Sequence, residues 1–208
     1  MDFLKSIKIS HTPTQPVAGE NYQVSILKMR KSDIKQVLVI EQTVFPRPWS
    51  AALYESELEQ PDTRCYYVAK VGRSVIGYIG YMVVLDESHI TTLAVDQKWH
   101  RNGLGMLLLF QVAKDAERLN LKAMTLEVRT ANIAAQQLYF KFGFLPIGVR
   151  KNYYAEINED AIVMWADSIQ SEEYRVRLED IMKCLEEKAN LRFGLESKAV
   201  ITLNSIDQ

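Results

Sequence analysis

The sequence predicts a mixed α/β fold in which helices cover both sides of one β-sheet. Three observations carry this expectation. Aromatic and β-branched runs alternate with stretches of helical period. Their order reads β-α-α-β-β-β-α-β-α-β-β. No segment repeats another, so a solenoid or propeller is not expected.

The elements follow in chain order. Val24, Ile26 and Leu27 sit in a β-prone run, Tyr22 to Met29. Arg30-Lys31-Ser32-Asp33 is a polar break that offers caps. From Ile34 to Phe45, the residues Ile34, Val37, Leu38, Glu41 and Val44 fall at helical spacing. Phe45-Pro46-Arg47-Pro48-Trp49-Ser50 stops that helix, and Ser50 can cap a second one with Leu53, Tyr54 and Leu58 on its apolar face. Cys65 to Val71 reads as a strand, Gly72-Arg73 as a turn, and Ser74 to Leu85 as a long strand buried on both faces. Asp86-Glu87-Ser88 makes the next turn, and His89 to Val95 the next strand.

Beyond Val95 the pattern changes. The polar loop Trp99 to Gly105 opens a helix with Leu107, Leu108, Val112 and Ala116 on one stripe. Ala123 to Val128 is a strand, Ala131 to Phe142 a helix, and Phe144 to Val149 and Ala161 to Trp165 are strands. Glu172 to Arg192 is charge-rich, with Tyr174, Leu178, Ile181 and Leu185 along one face. It predicts an amphipathic helix packed on the domain or on a partner. Ala199 to Leu203 fits a short strand or a frayed tail, and residues 1–21, with Pro13 and Pro16, a flexible tail. One domain over 22–167, flanked by that tail and a helical extension over 168–208, is the expected organisation.

Composition excludes several functions. Apolar residues make up 48% of the 208, enough for a real core and against a disordered chain. A net charge of -1 gives no global attraction to nucleic acid or anionic membrane, so neither is an expected partner. Cys65 and Cys184 stand far apart and outside any C-x-x-C, so neither a disulfide framework nor a metal site is expected. No run approaches the ~20 apolar residues of a membrane span. Met1 to Lys5 lacks the apolar run of a signal peptide, which puts the expected location in the cytoplasm.

The chemistry starts at Gly103 and Gly105, which follow a strand and open a helix. Free amides at a helix N-terminus favour phosphate oxygens, and glycines let a pyrophosphate come close. Arg101 adds positive charge. There is no Gly-Lys-Ser/Thr and no third glycine at the Rossmann spacing, since position 108 is Leu. The segment does match Gln/Arg-x-x-Gly-x-Gly/Ala, standing here as His100-Arg101-Asn102-Gly103-Leu104-Gly105. His100 departs from the usual Gln or Arg but can still donate a hydrogen bond.

That motif resembles the coenzyme A signature of the GNAT acetyltransferase superfamily. The second half narrows the likeness: Thr125 to Arg129, then Asn132, Ala134-Ala135, Leu138-Tyr139, Gly143-Phe144, Arg150 to Tyr154, and Glu159-Asp160-Ala161. Phe45-Pro46 and Pro48-Trp49-Ser50 agree with it. Over residues 22 to 167 the chain is similar to the bacterial ribosomal protein alanine N-acetyltransferases. The resemblance implies a mostly antiparallel sheet splayed at the cofactor site. It implies acetyl-CoA as cofactor and a protein N-terminus, most simply that of a ribosomal protein, as acceptor partner, with the enzyme a monomer or weak dimer. By the same likeness, Leu93, Ala94 and Val95 line the pantetheine arm, and Arg101, Asn102, Gly103, Leu104, Gly105 and Met106 hold the pyrophosphate. Asn132 contacts the coenzyme near the thioester, Glu127 is the general base and Tyr139 the general acid.

The chemistry asks for such residues. An α-amino group titrates near 7.7–8.0, so an attacking amine must first lose a proton, to a carboxylate directly or through one water. Glu127 shares its strand face with Thr125 and Arg129, while Leu126 and Val128 point the other way. A phenol can protonate the leaving thiolate, and Leu138 is expected to take the core position beside Tyr139. The oxyanion would meet a backbone amide near Val95, where an irregular strand leaves one unpaired. Tyr153 and Tyr154 read either as substrate-binding or as packing aromatics, and Trp49, with Arg47, flanks the peptide groove. His89 and His11 have no partner motif and read as structural or surface. Another amine as acceptor, or a non-catalytic acyl-CoA-binding scaffold, remains open on this fold.

Overall fold

The computed structural model describes residues 22–193, with side chains to Glu187. The expected N-terminal tail and the Ala199 to Leu203 segment lie outside the described residues. Seven strands form one sheet: β1 (Val24–Lys28), β2 (Arg64–Val71), β3 (Ser74–Val84), β4 (Glu87–Val95), β5 (Ala123–Arg129), β6 (Leu145–Tyr154) and β7 (Glu159–Ala166). Five α-helices accompany them: α1 (Ile34–Val44), α2 (Ala51–Leu58), α3 (Leu104–Arg118), α4 (Ile133–Lys141) and α5 (Glu172–Phe193). Strand order is β1-β2-β3-β4-β5-β7-β6, and every pairing is antiparallel except β4–β5.

Local chemistry explains the ends. The Ser50 hydroxyl accepts from the Leu53 amide at 3.2 Å and starts α2. Asn132 accepts from Ala135 at 3.2 Å and starts α4, two residues later than the sequence suggests. Leu85 takes a left-handed φ of 56° at the β3–β4 turn, so the turn tightens and β4 begins at Glu87 rather than His89. β6 runs on to Tyr154, well past Val149, because its hairpin with β7 continues through two register shifts.

The sheet has a core on each face. On one, α1 and α2 bury Val37, Ile40 and Tyr54 against Tyr66, Val68 and Tyr78. On the other, α3 buries Leu108, Leu109, Val112 and Ala116. Tyr139 of α4, Phe142 just beyond its end, and Tyr174, Leu178, Ile181 and Leu185 of α5 join that second core. β3 feeds both cores, as its apolar sequence predicts. The register slips between Ala69 and Lys70, so Ile76 is an extra residue and the facing pattern shifts there. The two cysteines are free thiols, Cys65 buried and Cys184 half-buried.

Candidate active site

The parallel β4–β5 pair holds together for only four residues on each strand, Glu87–Ile90 beside Ala123–Leu126. Beyond Ile90 and Leu126 the strands part, and the sheet opens into a wedge. Hydrogen-bond parity decides what β4 presents to that opening. The Asp96 amide donates to Ile76 O at 3.0 Å, and bonded pairs alternate along an antiparallel ladder. The Ala94/Tyr78 pair is therefore bonded, while Leu93 and Val95 turn their backbone N–H and C=O away from β3, into the opening. The strand irregularity expected near Val95 lies instead at Thr91, the extra residue between the Gly80/Thr92 and Tyr81/Ile90 pairs. Val95 is in register with Gly77. What exposes its backbone is the divergence of β5, not a bulge.

A cavity of about 600 Å³ fills the wedge. Leu93, Ala94 and Val95 line one wall. Arg101, Gly103, Leu104, Gly105 and Met106 line the floor at the start of α3. Gly103 has φ +80°, a left-handed turn that an L-residue with a side chain adopts only under strain, and Arg101 is also left-handed at +66°. The Leu107 amide is the first of α3 to find a helical carbonyl, Gly103 O at 2.9 Å. The amides of residues 104 to 106 thus point out of the helix end, with the helix dipole behind them. His100 Nε2 donates to Val95 O at 3.0 Å, so this side chain ties the loop back to β4. Asn102 donates to Trp99 O at 3.1 Å and shapes the loop from outside the cavity wall.

Glu127, Asn132, Leu138, Tyr139 and Tyr154 line the opposite side. Glu127 is the most constrained of them. Its Oε2 lies 2.8 Å from His89 Nε2 and its Oε1 3.2 Å from Arg150. The hydrogen bond from His89 is the largest influence on its acidity, helped by the charges of His89 and Arg150. Together they hold the carboxyl below its usual range although burial works the other way. Sequence reasoning missed His89. It sits on β4 in register with Thr125, two residues before Glu127, and only the parallel pairing brings the two side chains together. A polar residue on the cavity-facing alternation of β4 was the available signal.

Tyr139 reverses an expectation. Leu138 is only half-buried, while Tyr139 is itself 7% exposed and packs 5.8 Å from the Phe144 ring. It nevertheless lines the cavity, and among the described residues its hydroxyl has no hydrogen-bond partner. Burial, and then Tyr154, pushes its phenol above the usual range, so it keeps its proton. Tyr154 is raised to about 12, first by burial and then by Tyr153 and Glu127. Tyr153 and Trp49 stand apart from the cavity lining. Tyr153 is 47% exposed under the Arg150 guanidinium. Trp49 packs against Tyr54, with its amide bonded to Glu41 Oε1 at 2.9 Å. No group of three or more His, Cys, Asp and Glu among the described residues could hold a metal ion.

The residues present suit acetyl-CoA. Outward amides and Arg101 fit a pyrophosphate, and Gly105 leaves the backbone bare where a Cβ would come 3.3 Å from Leu138. The outward backbone of Leu93 and Val95 offers amide partners along an apolar channel.

Known proteins bear on this arrangement. The acetyltransferase (GNAT) family matches residues 34–144. A putative ribosomal protein bS18-alanine N-acetyltransferase of Bacillus subtilis is 35% identical over 144 residues, covering 69% of this chain and 95% of that one. The crystal structure of the ribosomal-protein-S18-alanine N-acetyltransferase from Escherichia coli superposes with a TM-score of 0.64 at 31% identity, covering 70% of this chain and 94% of that one. Ard1 from Thermoplasma volcanium gives 0.65 at 29% identity, covering 70% and 97%. The motifs at Gly103 and Glu127 lie within the family match at 34–144. The chain belongs to the GNAT acetyltransferase family, and it is an N-acetyltransferase.

Proposed function

We propose that the protein acetylates the α-amino group of a protein N-terminus, with acetyl-CoA as donor and a ribosomal protein beginning with alanine as acceptor. The observation that carries the reading is Glu127, a nearly buried carboxylate held ionised across the wedge from Leu93 and Val95. The names of the Bacillus and Escherichia proteins support the ribosomal acceptor, and the cytoplasm follows from that acceptor class.

Acetyl-CoA supplies an activated acyl group. The chain's own residues do the rest. The amides at the start of α3, with Arg101, bind the phosphates. Leu93 and Val95 orient the pantetheine amides, and Asn132 borders the thioester end. Glu127 draws the acceptor ammonium to the cavity and takes its proton, directly or through one water. His89 is a positioning residue: it fixes Oε2, so that Oε1, shared with Arg150, turns to the acceptor. Tyr139 keeps a proton at its phenolic oxygen for the departing sulfur. Tyr154 borders the acceptor, with Tyr153 and Trp49 farther out along the peptide path.

A peptide panel tests the reading. Peptides starting with Ala, Ser or Met, a polyamine, and a lysine peptide with a blocked N-terminus are scored for acetyl transfer. Ala-starting peptides are expected to react best. Turnover of the small amines without turnover of the peptides rejects the N-terminal acceptor. Acetyl-CoA should also raise the melting temperature, since a ligand at a hundredfold excess over its Kd stabilises by about 2.7 kcal/mol. No shift at saturation rejects the donor.

A further inference from the structure

An ion pair joins the two stretches of chain that leave the cavity lining at Phe45 and at Tyr154. Val44 and Phe45, where α1 ends, line one side, and Tyr154, where β6 ends, lines the other. Two residues farther out on each side stand Arg47 and Glu156. Arg47 Nη1 lies 2.9 Å from Glu156 Oε1, joining the α1–α2 loop to the β6–β7 turn. Neither side chain has another ion-pair partner among the described residues.

Both loops are held from behind, so the pair bridges fixed supports. The Phe45 amide bonds to Glu41 O at 3.0 Å, and the Trp49 amide to the Glu41 carboxylate. That carboxylate also accepts from Tyr54 and Tyr78. On the other side Asn158 turns the chain at φ 52°, and Asp160 holds the Asn152 amide at 2.8 Å and Lys151 at 2.7 Å. The backbone from Phe45 to Arg47, the ion pair, and the backbone from Glu156 to Tyr154 therefore make a continuous rim.

We propose that Arg47 and Glu156 form a clasp across the acceptor mouth. It limits the bulk of the residue that follows the acceptor amine, which makes the two side chains specificity determinants. This rests on the N-terminal acceptor proposed above. With the acceptor amine at Glu127, the next residues of its chain leave past Tyr154 and Phe45 and meet this rim. Arg47 is 82% exposed and Glu156 42%, and so exposed a pair is weak and screened by salt. It yields to a small residue at little cost and resists a large one.

The test is steady-state kinetics on peptides identical except for Gly, Leu or Trp at position two. The wild type is compared with Arg47→Gln, Glu156→Gln and the exchanged pair Arg47→Glu with Glu156→Arg. In the wild type, acceptor KM should rise from Gly to Trp, and added salt should reduce that rise. In each single variant the Trp-to-Gly ratio of KM should fall by about two- to fivefold, the range an exposed ion pair commands. Its salt dependence should disappear, and the exchanged pair should restore both. KM for acetyl-CoA should not change, because neither residue lines the cofactor cavity.

Single variants that keep the wild-type ratio and salt response overturn the clasp. If the wild type acetylates no N-terminal peptide, the acceptor reading fails by itself, and amide hydrogen exchange without substrate then decides on the clasp. Faster exchange of the Phe45, Arg47 and Trp49 amides in Glu156→Gln supports the clasp as a tie between the two loops, and unchanged exchange overturns it.

Discussion

Glu127 is ionised in the folded protein more readily than in the unfolded chain, and this has two measurable consequences. A carboxylate with a depressed folded pKa adds stability that is present above its unfolded value, about 4.3, and is lost as pH falls through the folded value. The stability gap between wild type and Glu127→Gln should therefore shrink on acidification below about pH 4.3, as read by melting temperature from pH 3 to 6. In His89→Ala the acid limb should move to higher pH, because the hydrogen bond that lowers the acidity is gone while burial still raises it. An unmoved limb would mean that His89 does not govern the carboxylate. The second consequence is kinetic. Glu127→Gln should lower kcat by about 10²–10⁴, with the greatest loss at the acid end, where the acceptor amine is charged. Unchanged rates would remove it as the base. Glu127 was legible in the sequence because a motif surrounds it. His89 was not, because its partner comes from a parallel pairing that no local pattern announces.

At the scale of the elements, the site follows from where two strands stop pairing and where one helix begins. Strand and helix identities could be read from period and capping residues, as Ser50 shows at α2. The parting of β4 from β5 after Ile90 could not, since nothing in Thr91 to Val95 looks less strand-like than what precedes it. The α3 end was legible through its glycines. Gly103→Ala should cost about 1–2 kcal/mol of stability, because φ +80° strains a residue that carries a Cβ, and it should raise KM for acetyl-CoA by tilting the outward amides. An unchanged KM would separate the turn from the phosphates. The helix α1 contributes differently. Glu41 is 1% exposed and accepts from the Trp49 amide and from the Tyr54 and Tyr78 hydroxyls, and burial raises its carboxyl above the usual range. The sequence presents it as one polar residue on an apolar stripe, with no hint of three donors from three other elements. Glu41→Ala leaves those donors buried without an acceptor. At about 1–3 kcal/mol for each unsatisfied group, it should be among the most destabilising single changes on this face, as measured by denaturant unfolding.

At the scale of the whole molecule, the point at issue is whether α5 is an appendage. It lies beyond the family match at 34–144, and the sequence left open whether its apolar face meets the domain or a partner. The face meets the domain. Tyr174, Leu178, Ile181 and Leu185 are buried in the same core as α3. The Arg177 guanidinium reaches Lys141 O at 3.4 Å, where α4 ends, and its Nε lies 3.3 Å from where a Cβ on Gly143 would stand. Helix α4 carries Tyr139, so α5 braces the element that presents the phenol to the cavity. Leu178, 4% exposed, is the most direct probe. Leu178→Ala should destabilise the whole domain by about 2–5 kcal/mol, the cost of a buried leucine truncation. Helix content and the tyrosine fluorescence of the sheet should still unfold in one coincident transition. A helix that melts first, with the domain's midpoint unchanged, would make α5 an independent appendage. A single lowered midpoint would make it part of the fold that holds Tyr139 in place.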